Sequence, residues 1–464
     1  MNKPKIGLLP LYLELYDRTM PEVRPAAEVF LKTIIKCLRE RGIEVVSTPV
    51  CRLKKEFSGA VKSFEKARVD AIVTLHLAYS PSLESADVLA ATKIPIIILD
   101  TTPDFDFGPD QNPKAIMNNH GIHGVQDMCN LLKRRGKPFQ IEAGHWKKSD
   151  VLDRVVAWVE IARAASSLKT ARVGQLGSYF RGMGDFAVPA EILAKTIGIR
   201  TIPARPALFS SLIPRDDDAE VENELAAVRK NFETDGVRTE LLRKALVAGI
   251  AVRRWVKQEK LSAFTFNFLE VEKSYGLPAI PFLEAGRSMA EGIGYAGEGD
   301  VLTAALVAGL AGCYPETTFT EMFCPDWKGN SIFLSHMGEV NPNVLAARPR
   351  LVEVKLSFAV NQNQVKLAGC LKPGPAVLVN LAPGVNNGYT LLIAPVKVLK
   401  VKGKDRMVET VHGWIKPLMP IVDFLAEYSR AGGTHHLALV YGNRSEEIVK
   451  FGKLMDWKTI TIEE

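Results

Sequence analysis

Along the first hundred residues, continuous apolar runs alternate with segments whose apolar positions recur at helical spacing. "KIGLLPL", "IEVVSTPV", "VDAIVTLHLAY" and "IPIIILD" are of the first kind; "PAAEVFLKTIIKCLRERG", "EFSGAVKSFEKAR" and "SLESADVLAATK" are of the second. A run without polar alternation suits a strand buried on both faces, and the amphipathic segments between such runs supply the helices that cover it. The pattern predicts a parallel sheet with helices on both sides. Ligands bind outside the carboxyl ends of such strands, and here those ends carry Tyr12, His76 and Asp100.

The alternation restarts after the helical pattern "SDVLDRVVAWVEIARAASSLKT". "ARVGQLGSYF" reads as a strand, "PAEILAKTIG" as a helix and "IRTIPAR" as a strand. Two long helices follow, through "DDDAEVENELAAVRKNF" and "RTELLRKALVAGIAVRRWVKQEK", and then the strand "LSAFTFNFLE". Gly182, Gly184 and Ala187 in "GSYFRGMGDFA" fit a loose dinucleotide fingerprint. Pro189, however, delays the helix until after this loop, and the next strand ends in Ala204-Arg205, without the acidic residue that would hold a ribose. No P-loop motif is present. The loop is therefore read as a connection rather than a cofactor cradle.

From about Pro349 the period changes to two. "RLVEVKLSFAV", "QNQVKLAGCL", "PAVLVNLAP", "YTLLIAPVKVLKV" and "MVETVHGWIK" are strands joined by Gly/Pro/Asn turns, interrupted by the helix "MPIVDFLAEYSR" and followed by "THHLALVYG". The expected fold is α/β: two doubly wound, Rossmann-like parallel-sheet units, 1–148 and 149–335, followed by a β-rich antiparallel sandwich or barrel, 336–464. A chain of 464 residues exceeds what one core can fill.

Composition narrows the function. The formal charge of +7 is modest, and Lys and Arg are interleaved with Asp and Glu as on solvated helix faces, so no nucleic-acid partner is expected. Six scattered cysteines form no C-x-x-C pair, which argues against a zinc ribbon or disulfide scaffold and fits a reducing cytoplasm. The first apolar run is broken by Glu14 and Asp17, so neither a signal peptide nor a membrane anchor is expected.

Four places concentrate ionisable groups in apolar contexts: Glu298 in "GYAGEGDVLTAAL", Glu321 in "FTEMF", His336 in "FLSHMGE", and the pair His435-His436 in "GGTHHLAL". Each has a bland reading. Glu298 or Asp300 could cap the helix starting at Val301. Glu321 could face water from an edge strand, and His336 could be a satisfied core residue. Adjacent histidines on a strand point to opposite faces, so only one could face a given site. Together, two carboxylates and two imidazoles make a ligand set for a divalent metal of intermediate hardness, and that metal would be the partner that a buried Glu321 needs.

The runs "MAEGIGYAGEGDVLTAAL", "FTEMFCPDWKGNSIFLSHMGEVNP" and "AGGTHHLALVYG", together with "NNHGIHGVQDMCNLLKRRGKPFQIEAGHW", resemble the L-arabinose isomerase family within the L-fucose/L-arabinose isomerase group. The resemblance implies an aldose–ketose isomerase that uses Mn²⁺ or another divalent metal such as Co²⁺, with Glu298, Glu321, His336 and His436 as metal ligands. It implies that His123 contacts the sugar, with His435 near it, and that the chain forms a trimer-based homo-oligomer, a hexamer, in which His123 reaches a neighbour's pocket. Where the family has a Tyr-rich segment after the second glutamate, this chain has "MFCPDW", which bears on the choice of sugar.

Such an enzyme moves a proton between C1 and C2 of an unphosphorylated sugar through an enediol, with Glu298 and Glu321 as the carboxylates that carry it. Two alternatives keep the same scaffold. One is an isomerase or epimerase of another, deoxy or modified sugar; the other is a non-catalytic sugar-binding protein.

Overall fold

The structure, a computed structural model, describes residues 3–215 and 218–463; Asp216 and Asp217, at the head of a predicted helix, lie outside the described residues. The chain divides into two compact units, 1–163 and 164–464.

In the first unit the apolar runs become β1 (Lys5–Leu11), β2 (Glu44–Ser47), β3 (Ala71–His76) and β4 (Ile96–Asp100), joined at one edge by β5 (Phe139–Ala143). All pair in parallel, in the order β2-β1-β3-β4-β5. Every residue of β3 is buried, as is β1 from Ile6 onward, which is why these strands show no polar alternation. β5 is half-exposed along its length, so its pattern is too weak to stand out in the sequence. His76, at the carboxyl end of β3, lies against the helix Ile122–Arg134, where a Cβ on Gly124 would come within 2.8 Å of its Cδ2. Neither of its ring nitrogens has a hydrogen-bond partner among the described residues, and burial pushes the imidazole down to about 3, so it is neutral. On the same helix, His123 packs edge-on to Tyr79 and His120, with ring centroids 4.9 and 5.1 Å apart.

The second unit begins with another parallel sheet: β6 (Arg172–Leu176), β7 (Arg200–Pro203), β8 (Ala263–Phe266) and β9 (Gly294–Gly297), in the order β7-β6-β8-β9. It continues through β10 (Thr317–Asp326), β11 (Ser331–Ser335), β12 (Arg350–Lys355), β13 (Asn363–Cys370), β14 (Gly374–Pro383), β15 (Tyr389–Val398), β16 (Val411–Pro417), β17 (His436–Tyr441) and β18 (Lys458–Thr461). These later strands share one sheet. Within it, β16, β11, β10, β17, β14 and β15 pair antiparallel in sequence, and β15 pairs back to β16, so the ring closes. Closure leaves these strands no free edge. Its core includes Leu334, Ile415, Leu378, Leu392, Leu439 and Phe424.

The helix Val301–Ala311 is buried along its whole length. It packs on β6, β8 and β9 of the parallel sheet and on β10, β14 and β17 of the ring, which explains a sequence with no polar face. Its amino end is therefore fixed between the two sheets, and the candidate site is built there. No disulfide joins any of the six cysteines. Among the described residues no helix is long and apolar enough to cross a membrane.

Candidate active site

Glu298 is delivered by a strained turn. β9 ends at Gly297, Glu298 takes φ 63° and Gly299 φ 86°, and Asp300 then caps the buried helix by accepting the Thr303 N–H at 2.9 Å. Left-handed conformation is costly for a side-chain-bearing residue and persists only where its surroundings impose it. Thr265 on β8 does so: its Oγ1 accepts the Gly299 N–H at 3.0 Å and donates to the Gly297 carbonyl at 3.3 Å. The Phe180 N–H donates to the Glu298 carbonyl at 2.9 Å. Of the two acids that could cap this helix, Asp300 does so, which leaves the Glu298 carboxylate for the pocket.

Strand register delivers the other groups. On β10, Glu321 is opposite His436 of β17 on one side and Ser335 of β11 on the other, so His336 follows immediately. Directly opposed residues of an antiparallel pair share a face. His336 Nε2 and His436 Nε2 lie 3.1 and 3.0 Å from Glu321 Oε1, and His436 Nε2 is also 3.5 Å from Glu298 Oε2. His435 departs from the expectation that only one of the pair can face the site. It precedes the first ladder residue of β17, so strand alternation does not bind it, and its Nε2 lies 3.6 Å from Glu298 Oε2. One donor atom from each of Glu298, Glu321, His435 and His436 lies within 4.8 Å of the others. His336, expected as a ligand from the sequence, is not one of these four and touches the group through Glu321 Oε1 alone, at 3.1 Å.

The walls are aromatic. Phe186 stacks on His436 at 4.7 Å and 10°, and Phe319 stands edge-on to His336 and His436 at 4.8 and 4.9 Å. Burial alone would raise the Glu298 carboxyl, but contacts from His435 and His436 outweigh it and hold it down to about 2. Glu321 is held well below the usual carboxylate range by His336 and His436 against the same penalty. In return, and against burial, Glu339 and Glu321 lift His336 to about 10, and Asp300, Glu298 and Glu321 lift His436 well above its ordinary value. Half-exposed His435 is lifted to about 9, chiefly by Asp185.

Despite these short approaches, Glu298 Oε2 and His436 Nε2 are buried without a hydrogen-bond partner among the described residues. Unpaired buried atoms of this kind are costly. An oxygen and a nitrogen left unpaired beside a second carboxylate and further imidazoles are the donor chemistry that Mn²⁺, Co²⁺ or Zn²⁺ accepts, so the residues present fit a divalent metal.

Three carboxylates behind the imidazoles escaped the sequence reading or were given another role. Glu339, 2.7 Å from His336 Nδ1, had a local signal, since it follows His336 by one helical-type spacing in "HMGE". Asp300, 2.9 Å from His436 Nδ1, was visible only as a helix cap. Asp185, whose Oδ2 contacts His435 Nδ1 at 2.7 Å and accepts its backbone N–H at 3.0 Å, is 250 residues away in the glycine loop and had no signal. That loop, tempting as a dinucleotide cradle, instead carries Asp185 and Phe186 into the site. His123 lies in the first unit.

Sequence profiles of the L-arabinose isomerase N-terminal, central and C-terminal domains match residues 14–170, 216–312 and 316–458. The L-arabinose isomerase of Thermotoga petrophila is 26% identical over 443 residues, covering 91% of this chain and 86% of that one. The L-arabinose isomerase of Acidothermus cellulolyticus is 26% identical over 461 residues, covering 93% and 89%. With three profiles matched in order along the chain and relatives aligned over nine-tenths of it, the protein belongs to the L-arabinose isomerase family and is an enzyme of the aldose–ketose isomerase class.

Proposed function

We propose that the protein interconverts an unphosphorylated, L-arabinose-like aldose and its ketose, using a divalent cation, Mn²⁺ or Co²⁺, held by Glu298, Glu321, His336 and His436. The observation that carries this reading is the convergence of Glu298, Glu321, His435 and His436, with His336 against Glu321, at a place where Glu298 Oε2 and His436 Nε2 have no hydrogen-bond partner among the described residues. A bound divalent ion supplies Lewis acidity, polarising the sugar carbonyl and acidifying the adjacent C–H. Glu298 and Glu321 are the two carboxylates of the cluster and would carry the protons. One takes the proton from carbon and returns it to the neighbouring carbon through an enediol, and the other moves the hydroxyl proton. Contacts with the histidines strongly depress the proton affinity of both and keep them ionised at neutral pH. Phe186 and Phe319 keep water from the inner wall.

His435, half-exposed and backed by Asp185, stands on the open side of the cluster and is assigned to the sugar hydroxyls, as is His123. The working form is proposed to be a trimer-based homo-oligomer, a hexamer. The test is ketose formation from a panel of pentoses and 6-deoxyhexoses with added Mn²⁺, with solvent deuterium incorporated at C1 or C2. Turnover or exchange with one such sugar supports the reading. Binding without exchange for every sugar would favour a non-catalytic sugar-binding protein.

A further inference from the structure

Two buried carboxylates sit behind the histidines of the site. Asp300 and Glu339 are sealed from solvent, at 0% and 1% exposure, and face the imidazoles of His436 and His336 at 2.9 and 2.7 Å. Carboxylates buried this deeply destabilise a fold unless they are fully hydrogen-bonded. Each has two anchors. Asp300 accepts the Thr303 N–H through Oδ1 and contacts His436 Nδ1 through Oδ2, at 2.9 Å in both cases. Glu339 accepts the Tyr295 hydroxyl through Oε1 at 2.8 Å and contacts His336 Nδ1 through Oε2 at 2.7 Å.

Where the carboxylate oxygen accepts in these contacts, the facing Nδ1 carries the hydrogen. In the neutral ring the free lone pair is then on Nε2. On both rings Nε2 is the atom that faces Glu321. We propose that Asp300 and Glu339 are the positioning residues of this centre, fixing the Nδ1–H tautomer of His436 and His336 so that both Nε2 lone pairs are presented to a divalent cation. The inference rests on reading these two histidines as metal ligands. It gives Asp300 two tasks on one side chain: the oxygen that starts the buried helix fixes the direction of the oxygen that holds the ring.

Both residues also support the fold, so simple truncation would not separate the roles. Isosteric amides do. In Asp300→Asn the amide oxygen still accepts the Thr303 N–H, Asn being as good a cap as Asp, and the NH₂ group faces His436 Nδ1. A donor facing a donor forces the ring hydrogen onto Nε2, where it blocks the lone pair. Glu339→Gln does the same to His336 while keeping an oxygen for the Tyr295 hydroxyl. Tyr295→Phe removes one anchor of Glu339 and leaves its carboxylate against His336.

The experiment is Mn²⁺ binding to the intact chain, followed by the electron paramagnetic resonance of free Mn²⁺ well below the unfolding temperature, alongside the thermal midpoint of each variant. Asp300→Asn and Glu339→Gln are expected to weaken Mn²⁺ binding by about 10- to 100-fold with midpoints close to that of the unsubstituted chain. Tyr295→Phe is expected to lower the midpoint with a smaller change in affinity. If an amide variant does not fold, Asp300→Ser, which keeps a capping oxygen and withdraws the acceptor from His436, is expected to show the same loss of affinity. Folded variants that bind Mn²⁺ as tightly as the unsubstituted chain would overturn the positioning role. An unsubstituted chain that binds no Mn²⁺ would overturn the metal reading on which it rests.

Discussion

A methyl group on Gly297 tests how tightly the site is packed. Gly297 is not in the left-handed region, so alanine is conformationally allowed there, and the only objection is steric. An added Cβ would stand 2.9 Å from His336 Cε1 and 3.1 Å from its Nε2. Non-bonded carbons settle at about 3.5–4.0 Å, so the ring must retreat from the 2.9 Å approach by about 0.6–1.1 Å. It has little room to do so, because Glu339 holds Nδ1 at 2.7 Å and Phe319 stands edge-on at 4.8 Å. Overpacking of this kind costs about 1–3 kcal/mol of stability, and an ångström-scale displacement in a catalytic constellation costs about 100-fold in rate. Gly297→Ala should therefore lower kcat/KM about 100-fold, weaken Mn²⁺ binding and lower the thermal midpoint. Gly59→Ala is the control: its Cβ meets nothing within 4 Å, and the residue is exposed on the helix Lys54–Ala67. Replacing that helical glycine should stabilise the chain by about 0.5–1 kcal/mol and leave catalysis alone. A Gly297→Ala enzyme with unchanged kcat/KM and metal affinity would refute the assignment of His336 to the working site.

Two further outcomes follow from the first unit. His76 is neutral in the fold, with its pKa near 3, whereas in the unfolded chain it returns to about 6.5; the unfolded state thus gains the proton first, and stability falls as pH drops below that value. Between pH 7 and pH 5 this amounts to about 2 kcal/mol at 1.36 kcal/mol per pH unit, read as a drop in urea midpoint that is absent from His76→Leu; equal losses in both proteins would contradict it. His123→Ala and Glu321→Ala chains, each inactive alone, should regain part of their activity when refolded together, and mixed assemblies that form but stay inactive would place the whole site within one chain.

The strands and most residues of the candidate cluster stand out in the sequence because both are written locally. β-branched runs such as "IPIIILD" announce strands, and an ionisable residue inside "FTEMF" or "FLSHMGE" stands out against apolar neighbours. What remained hidden depends on register or long-range packing. Both histidines of the pair reach the pocket only because the β17 ladder begins at His436, a boundary that a strand-period rule cannot locate to one residue. Asp185 meets His435 across 250 residues of sequence, and no spacing rule connects them. The closure of the later strands into a ring likewise depends on β15 pairing with both β14 and β16, which alternation within each strand does not specify.

The most direct test of the central claim is the metal content of chains purified in the presence of Mn²⁺. One equivalent per chain is predicted for the unsubstituted protein, with affinity sharply reduced by Glu321→Gln and by His336→Ala, since Glu321 Oε1 is the atom on which His336 and His436 converge. Stoichiometric metal retained with unchanged affinity in both variants would contradict the account.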